Sequence, residues 1–86
     1  MKINKLVEII EKKIRADITL QNIKIEDKSF LHKNHPTSQD GKFHIKLTIK
    51  SFELKKENKI QAYKRIYNTI DTEMKNYIHS IQILIR

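Results

Sequence analysis

The stretch Phe43–Lys50, FHIKLTIK, alternates apolar and polar side chains over eight residues. A period of two marks a strand with one face against a core and the other toward water. Phe43, Ile45, Leu47 and Ile49 therefore turn inward, while His44, Lys46, Thr48 and Lys50 turn outward. A strand with one apolar face needs a second layer to cover it, and the chain on either side must supply that layer.

Upstream, from about Leu20 to Asp27, Ile23 and Ile25 alternate with Lys24 and Glu26, a weaker strand pattern. Ile3–Ala16 sets Ile3, Leu6, Val7, Ile10 and Ile14 at helical spacing, with Ile9 broadening the stripe. Around Asp17, Ile18 and Thr19 that helix should give way, because β-branched residues lose side-chain freedom in a helix. Downstream, Phe52–Asn58 (FELKKEN) reads as a turn with a short helical piece. Lys59–Ile78 predicts one long helix, its period repeated by Ile60, Tyr63, Ile66/Tyr67, Ile70, Met74 and Tyr77/Ile78. His79–Arg86 predicts a last strand, with Ile81, Ile83 and Ile85 on one face and Leu84 on the other.

The first two strands most simply pair antiparallel. The second and third are joined through helix, so they can lie parallel with a right-handed crossover. The expected architecture is α+β: a three-stranded mixed sheet with helices packed on one face, in αββααβ order, with residues 1–86 forming one domain.

Eighty-six residues is near the size at which a single core becomes marginal, enough for one helical layer on one small sheet. There is no cysteine, so disulfides are excluded, as is any metal site built on this chain's own thiolates. No run approaches the ~18 apolar residues of a membrane span, and the N-terminus resembles no signal peptide. The expectation is a small cytoplasmic protein without membrane contact. The formal charge of +8 invites a nucleic-acid reading. Fifteen of the eighteen cations are lysine, however, and isoleucine and asparagine are also abundant, as an A+T-rich coding sequence tends to supply. Lysine also meets phosphate only as a point charge.

The stretch Ser29–His44, SFLHKNHPTSQDGKFH, holds the connection between the first two strands and the start of the second; in it are His32, His35 and His44, the only proline and the only glycine. The connection is roughly 14 residues long, a length usually reserved for function or disorder. His32 and His35 form an H-x-x-H spacing, a weak metal signal by itself. His44, on the outer face of its strand, is expected to be a bystander or at most a supporting donor. His79 stands apart, near the junction of the long helix and the last strand. No nucleophile–base spacing and no glycine-rich phosphate loop occurs, so an enzyme is not expected.

Taken in order, these segments resemble the BolA family. SFLHKNH at Ser29–His35 is similar to that family's loop motif, with Phe30 at its first histidine. FHIKLTIKS at Phe43–Ser51 resembles its second strand, which ends in serine. AYKRIYNTI at Ala62–Ile70 resembles its helix motif, and HSIQI at His79–Ile83 the start of its last strand. The resemblance runs over roughly residues 3–85 and implies a class II KH-like topology. It further implies that His79, with His32 or alternatively His35, supplies ligands to a [2Fe-2S] cluster shared with a monothiol glutaredoxin. The glutaredoxin would contribute its cysteine and a bound glutathione. Histidines can replace thiolates on one iron of such a cluster, and they compete with protons between about pH 5 and 7. The free chain is expected to be a monomer or a weak homodimer.

The alternative that the resemblance implies is a DNA-binding transcriptional regulator of stress response or cell morphology. It would act through Lys55, Lys56, Lys59, Lys64 and Arg65. The sequence departs from the family mainly there: Tyr63 stands where histidine is usual, Lys56 where glycine is common, and Leu54 where an aromatic is found. The chain also ends at the last strand, without the short helix some members carry. The cluster role is therefore the leading expectation.

Overall fold

The computed structural model describes residues 2–28 and 42–86. Its elements are α1 (Ile3–Asp17), β1 (Asn22–Asp27), β2 (Phe43–Lys50), α2 (Phe52–Lys55), α3 (Lys59–Thr69), α4 (Asp71–Asn76) and β3 (Ile78–Ile85). The strand order is β1-β2-β3, with β1 antiparallel and β3 parallel to the central β2. This is the expected mixed sheet.

Alternation along β2 decides the layering. Ile45, Leu47 and Ile49 are buried, and α1 and α3 cover them with Leu6, Ile10, Ile14, Ala62 and Ile66. Ile23 and Ile25 of β1 and Ile81, Ile83 and Ile85 of β3 pack at the margins of the same core. The helices thus occupy one side of the sheet. On the other side stand His44, Lys46 and Thr48, as the period of two requires.

The expected long helix over Lys59–Ile78 is not continuous. It breaks at Ile70, whose φ of −111° and ψ of 27° leave the helical region. Two features of the sequence account for the break. The single proton of the Thr69 hydroxyl is shared between the Arg65 carbonyl at 2.8 Å and Asp17 Oδ2 at 2.6 Å, and hydroxyl back-bonding of this kind bends helices. Asp71 and Glu73 then favour a new helix N-terminus, where the dipole welcomes negative charge. The kink lets Ile70 stay buried and carries Glu73 inward, where it meets Lys13 Nζ at 2.7 Å. Tyr77 and Ile78, expected at the helix end, belong instead to a turn and to β3. The Phe43 amide donates to the Tyr77 carbonyl at 2.9 Å and draws this segment into the sheet, and Ile78 is buried in the core. β1 likewise starts at Asn22 rather than Leu20. Among the described residues, no helix is long and apolar enough to cross a membrane.

Candidate functional site

The sheet has two unlike ends. β2 and β3 both start at one end, and β1 finishes there. Into this end run both attachment points of the 29–41 connection. Lys28 donates its amide to the His44 carbonyl at 2.7 Å, and Phe43 follows at the start of β2.

His79 owes its position to an irregularity in the parallel pairing. Phe43 pairs with Ile78, but His44 pairs with Ser80, so β3 carries one extra residue at this point. An extra residue resets the alternation of a strand. Ile78 faces the core, His79 and Ser80 are both exposed, and the apolar alternation resumes with Ile81. The same geometry brings three side chains together. The imidazoles of His44 and His79 meet edge to face, with ring centroids 4.9 Å apart and planes at 61°. His44 Nδ1 and the Ser80 hydroxyl share a hydrogen bond of 2.6 Å. His44, expected to be a bystander, therefore touches the principal candidate directly.

His32 and His35 lie outside the described residues. Among the described residues, no three histidine, cysteine, aspartate or glutamate side chains could hold a metal ion. The chemistry of the donors fits an iron–sulfur cluster only in part. Imidazole nitrogens are competent ligands for iron, but the chain holds no thiolate, so sulfur ligands must come from another molecule.

At the opposite end, where Ser51 follows β2, the polar groups are densely paired. Ser51 is fully buried; its hydroxyl donates to the Thr19 carbonyl at 2.7 Å and accepts from the Leu54 amide at 3.1 Å, capping α2. Gln21 Oε1 accepts from the Phe52 amide, and Glu53 Oε2 from the Thr19 amide, each at 2.9 Å. Arg65, expected to meet phosphate, spends its guanidinium here. It bonds Glu57 Oε1 at 2.9 Å and the Asp17 carbonyl at 3.2 Å, with Glu53 at 3.7 Å. Of the other cations in that group, Lys55, Lys56, Lys59 and Lys64 are exposed, and Lys59 lies 5.8 Å from the Tyr63 ring centroid. A cleft of about 250 Å³ runs beside them, lined by Leu54, Tyr63 and Leu84 among others. Tyr63 donates its hydroxyl to the Ile83 carbonyl at 3.4 Å, so it ties α3 to the edge of β3.

Sequence reasoning missed the contact between His44 and His79, although a signal for it exists. Ile81, Ile83 and Ile85 repeat every two residues, whereas Ile78 precedes Ile81 by three. That spacing marks one extra residue in a strand, and the extra residue is what turns His79 outward beside Ser80.

The comparisons agree with this architecture. Residues 14–86 match the family model described as BolA-like protein. A relative from Haemophilus influenzae, named DNA-binding transcriptional regulator BolA, is 32% identical over 76 residues, covering 88% of this chain and 71% of the relative. Among solved structures, the BolA domain of SufE1 from Arabidopsis thaliana superposes with a TM-score of 0.77 at 20% identity, covering 100% of this chain and 93% of that one. BolA1 from the same plant gives 0.76 at 19% identity, covering 92% and 87% respectively. At those identities the likeness speaks for the fold.

Proposed function

Because the chain belongs to the BolA-like protein family, we propose that it acts as an accessory protein that lends imidazole ligands to a [2Fe-2S] cluster held jointly with a monothiol glutaredoxin. One observation carries this reading: the exposed ring of His79 stands against His44 at the end of the sheet where both strands flanking the histidine-rich connection attach. His79 is the first ligand and His32 the second, with His35 as the alternative from the same connection. When bound, the cluster supplies electron-transfer and transfer-of-iron chemistry whose potential rises with histidine ligation.

The residues of this chain have narrower tasks. Ser80 fixes the plane of the His44 ring through the 2.6 Å hydrogen bond, and that ring in turn limits the tilt of His79. A pre-set imidazole loses less freedom on ligation than one on a free loop. The thiolates come from the partner, as the absence of cysteine requires.

The test is to mix the chain with a monothiol glutaredoxin, iron, sulfide and glutathione and record visible absorption and circular dichroism. The spectrum should differ from that of the glutaredoxin alone, and the difference should vanish in His79→Ala and in the His32→Ala/His79→Ala pair. A spectrum unaffected by His79→Ala would refute the assignment.

A second reading is supported by the name of the Haemophilus influenzae relative, a DNA-binding transcriptional regulator. In that reading the chain binds DNA, with Lys55, Lys56, Lys59 and Lys64 as the contacts suggested by sequence. Arg65 contributes less, because its guanidinium is already held by Glu57 and the Asp17 carbonyl.

A further inference from the structure

The helix-free side of the sheet carries a charge pattern that neither reading uses. Lys24, Lys46, Lys50 and Arg86 line one shallow depression of about 390 Å³ on that side, with Glu26 as the one acidic side chain among its lining residues. The register explains the clustering. Lys24 lies opposite Thr48, Glu26 opposite Lys46 and Asn22 opposite Lys50, all on the face that β2 turns away from its core. Glu26 is already occupied: Lys28 Nζ stands 3.3 Å from its carboxylate and Lys24 Nζ 3.9 Å. Lys46, Lys50 and Arg86 form no ion pair within 4.0 Å among the described residues; Lys46 stands opposite Glu26 and acts on it only from a distance, and Lys50 overlies the Phe52 ring at 6.0 Å. By contrast, the helical cations are interleaved with Glu53 and Glu57, and Arg65 is bound to both.

We infer that this basic sheet face, rather than the lysine-bearing start of α3, is the surface that meets nucleic acid, through the phosphate backbone of a duplex and without base readout. The inference rests on the DNA-binding reading and changes its location. Three features select the occupant. Lysines offer point charges suited to phosphate rather than the fork that reads a base edge. The outward positions of the three strands hold no Phe, Tyr or Trp, and Phe52 beside Lys50 is a single ring at one margin, so the row of stacking platforms along which single strands bind is missing. A protein partner would need an apolar centre to its interface, and this depression is framed by lysine, asparagine, glutamate, threonine and arginine.

The experiment measures binding of a fluorescent duplex of arbitrary sequence by anisotropy as salt is raised. Four phosphate contacts give a slope of about −3.6 in log K against log salt, a roughly 150-fold loss between 50 and 200 mM. Lys24→Gln/Lys46→Gln/Lys50→Gln should flatten the slope to about −0.9, leaving only a three- to fourfold loss over the same range. Single substitutions Lys46→Gln and Lys50→Gln, each lowering the slope by about 0.9, cover the case in which the triple variant misfolds. Lys55→Gln/Lys56→Gln/Lys59→Gln/Lys64→Gln should keep the full slope. If the helical set flattens it and the sheet set does not, the location is wrong while the DNA reading survives. If the unmodified chain binds no duplex at 50 mM salt, both fall. Competition by polyglutamate as effective as by duplex at equal charge would overturn the choice of nucleic acid in favour of an acidic protein.

Discussion

The two ends of this small sheet are built on opposite principles. At the Ser51 end a buried hydroxyl serves two backbone groups at once, and Gln21, Glu53 and Arg65 satisfy others around it. At the His79 end the pairing is interrupted by an extra residue, and two imidazoles and a hydroxyl stand on the outer face. The first end fastens α1, α2 and α3 to the sheet. The second spends regularity to present side chains. The polar bonding is therefore gathered at the Ser51 end, while the His79 end keeps its imidazoles and hydroxyl at the surface.

If that division is real, substitutions should cost very different amounts at the two ends. The largest effect is expected for Ser51→Ala. It deletes the cap of α2 and strands the Thr19 carbonyl, which together should cost about 2–3 kcal/mol in urea unfolding. That corresponds to a fall in Tm of about 10–20 °C for a domain of this length. A cost below about 0.5 kcal/mol would show that the buried hydroxyl is replaceable by water and would break the comparison. Arg65→Met is expected to cost less, about 1 kcal/mol, because the side chain remains 30% exposed and its ion pairs are partly screened. The loss should shrink as salt is raised, whereas Lys64→Gln on the same helix should change stability by no more than about 0.5 kcal/mol.

At the other end, His79→Ala should leave unfolding within about 0.5 kcal/mol of the unmodified chain, since it removes an exposed ring and no core contact. The same variant is the one expected to lose the spectral effect on the mixed glutaredoxin complex. Ser80→Ala sharpens the point. It should also leave stability nearly unchanged, yet weaken cluster binding by severalfold through a less restrained His44 ring. Chemical unfolding and cluster titration on the same preparations separate these outcomes. A His79→Ala variant that unfolds easily would make the histidine a structural residue after all.

The layers of the fold were more legible in sequence than either end of the sheet, and for a physical reason. Period-two alternation in Phe43–Lys50 and helical spacing in Ile3–Ala16 report burial directly, and burial decided the layers. The break at Ile70 was hidden because an apolar residue at the right spacing fits a straight helix as well as a kinked one. What bends the chain is Thr69 reaching Asp17, 52 residues away, and no local pattern records that contact. The histidine pair was hidden in the same way. His44 was visible as an outward residue of its strand and His79 as a residue at a helix–strand junction, but their contact depends on the register of two strands separated in sequence by α2, α3 and α4. Arg65 shows the converse: its place among lysines suggested phosphate, while its partners Glu53 and Glu57 made it part of the frame.

The smallest effect tests whether the open side of the sheet contributes to stability at all. Glu26 lies opposite Lys46 on β1 and between Lys24 and Lys28 along the chain. The hydrogen bond from Lys28 comes first in holding its carboxyl below the ordinary carboxylate range; the charges of Lys24, Lys28 and Lys46 add to that, and desolvation opposes it. Because folding lowers this pKa, the folded state prefers the ionised form. The stabilisation is therefore present above the unfolded pKa and is lost as pH falls through the folded one. Glu26→Gln should accordingly differ from the unmodified chain near neutral pH and converge with it in acid, as followed by urea unfolding at a series of pH values. The gap should be slight even at neutral pH, because pairs on an exposed face are screened by solvent. A gap that widened in acid would reverse the sign required by the lysines around this carboxylate. A large gap at neutral pH would mean that the helix-free face also holds the fold together, against the contrast between the two ends.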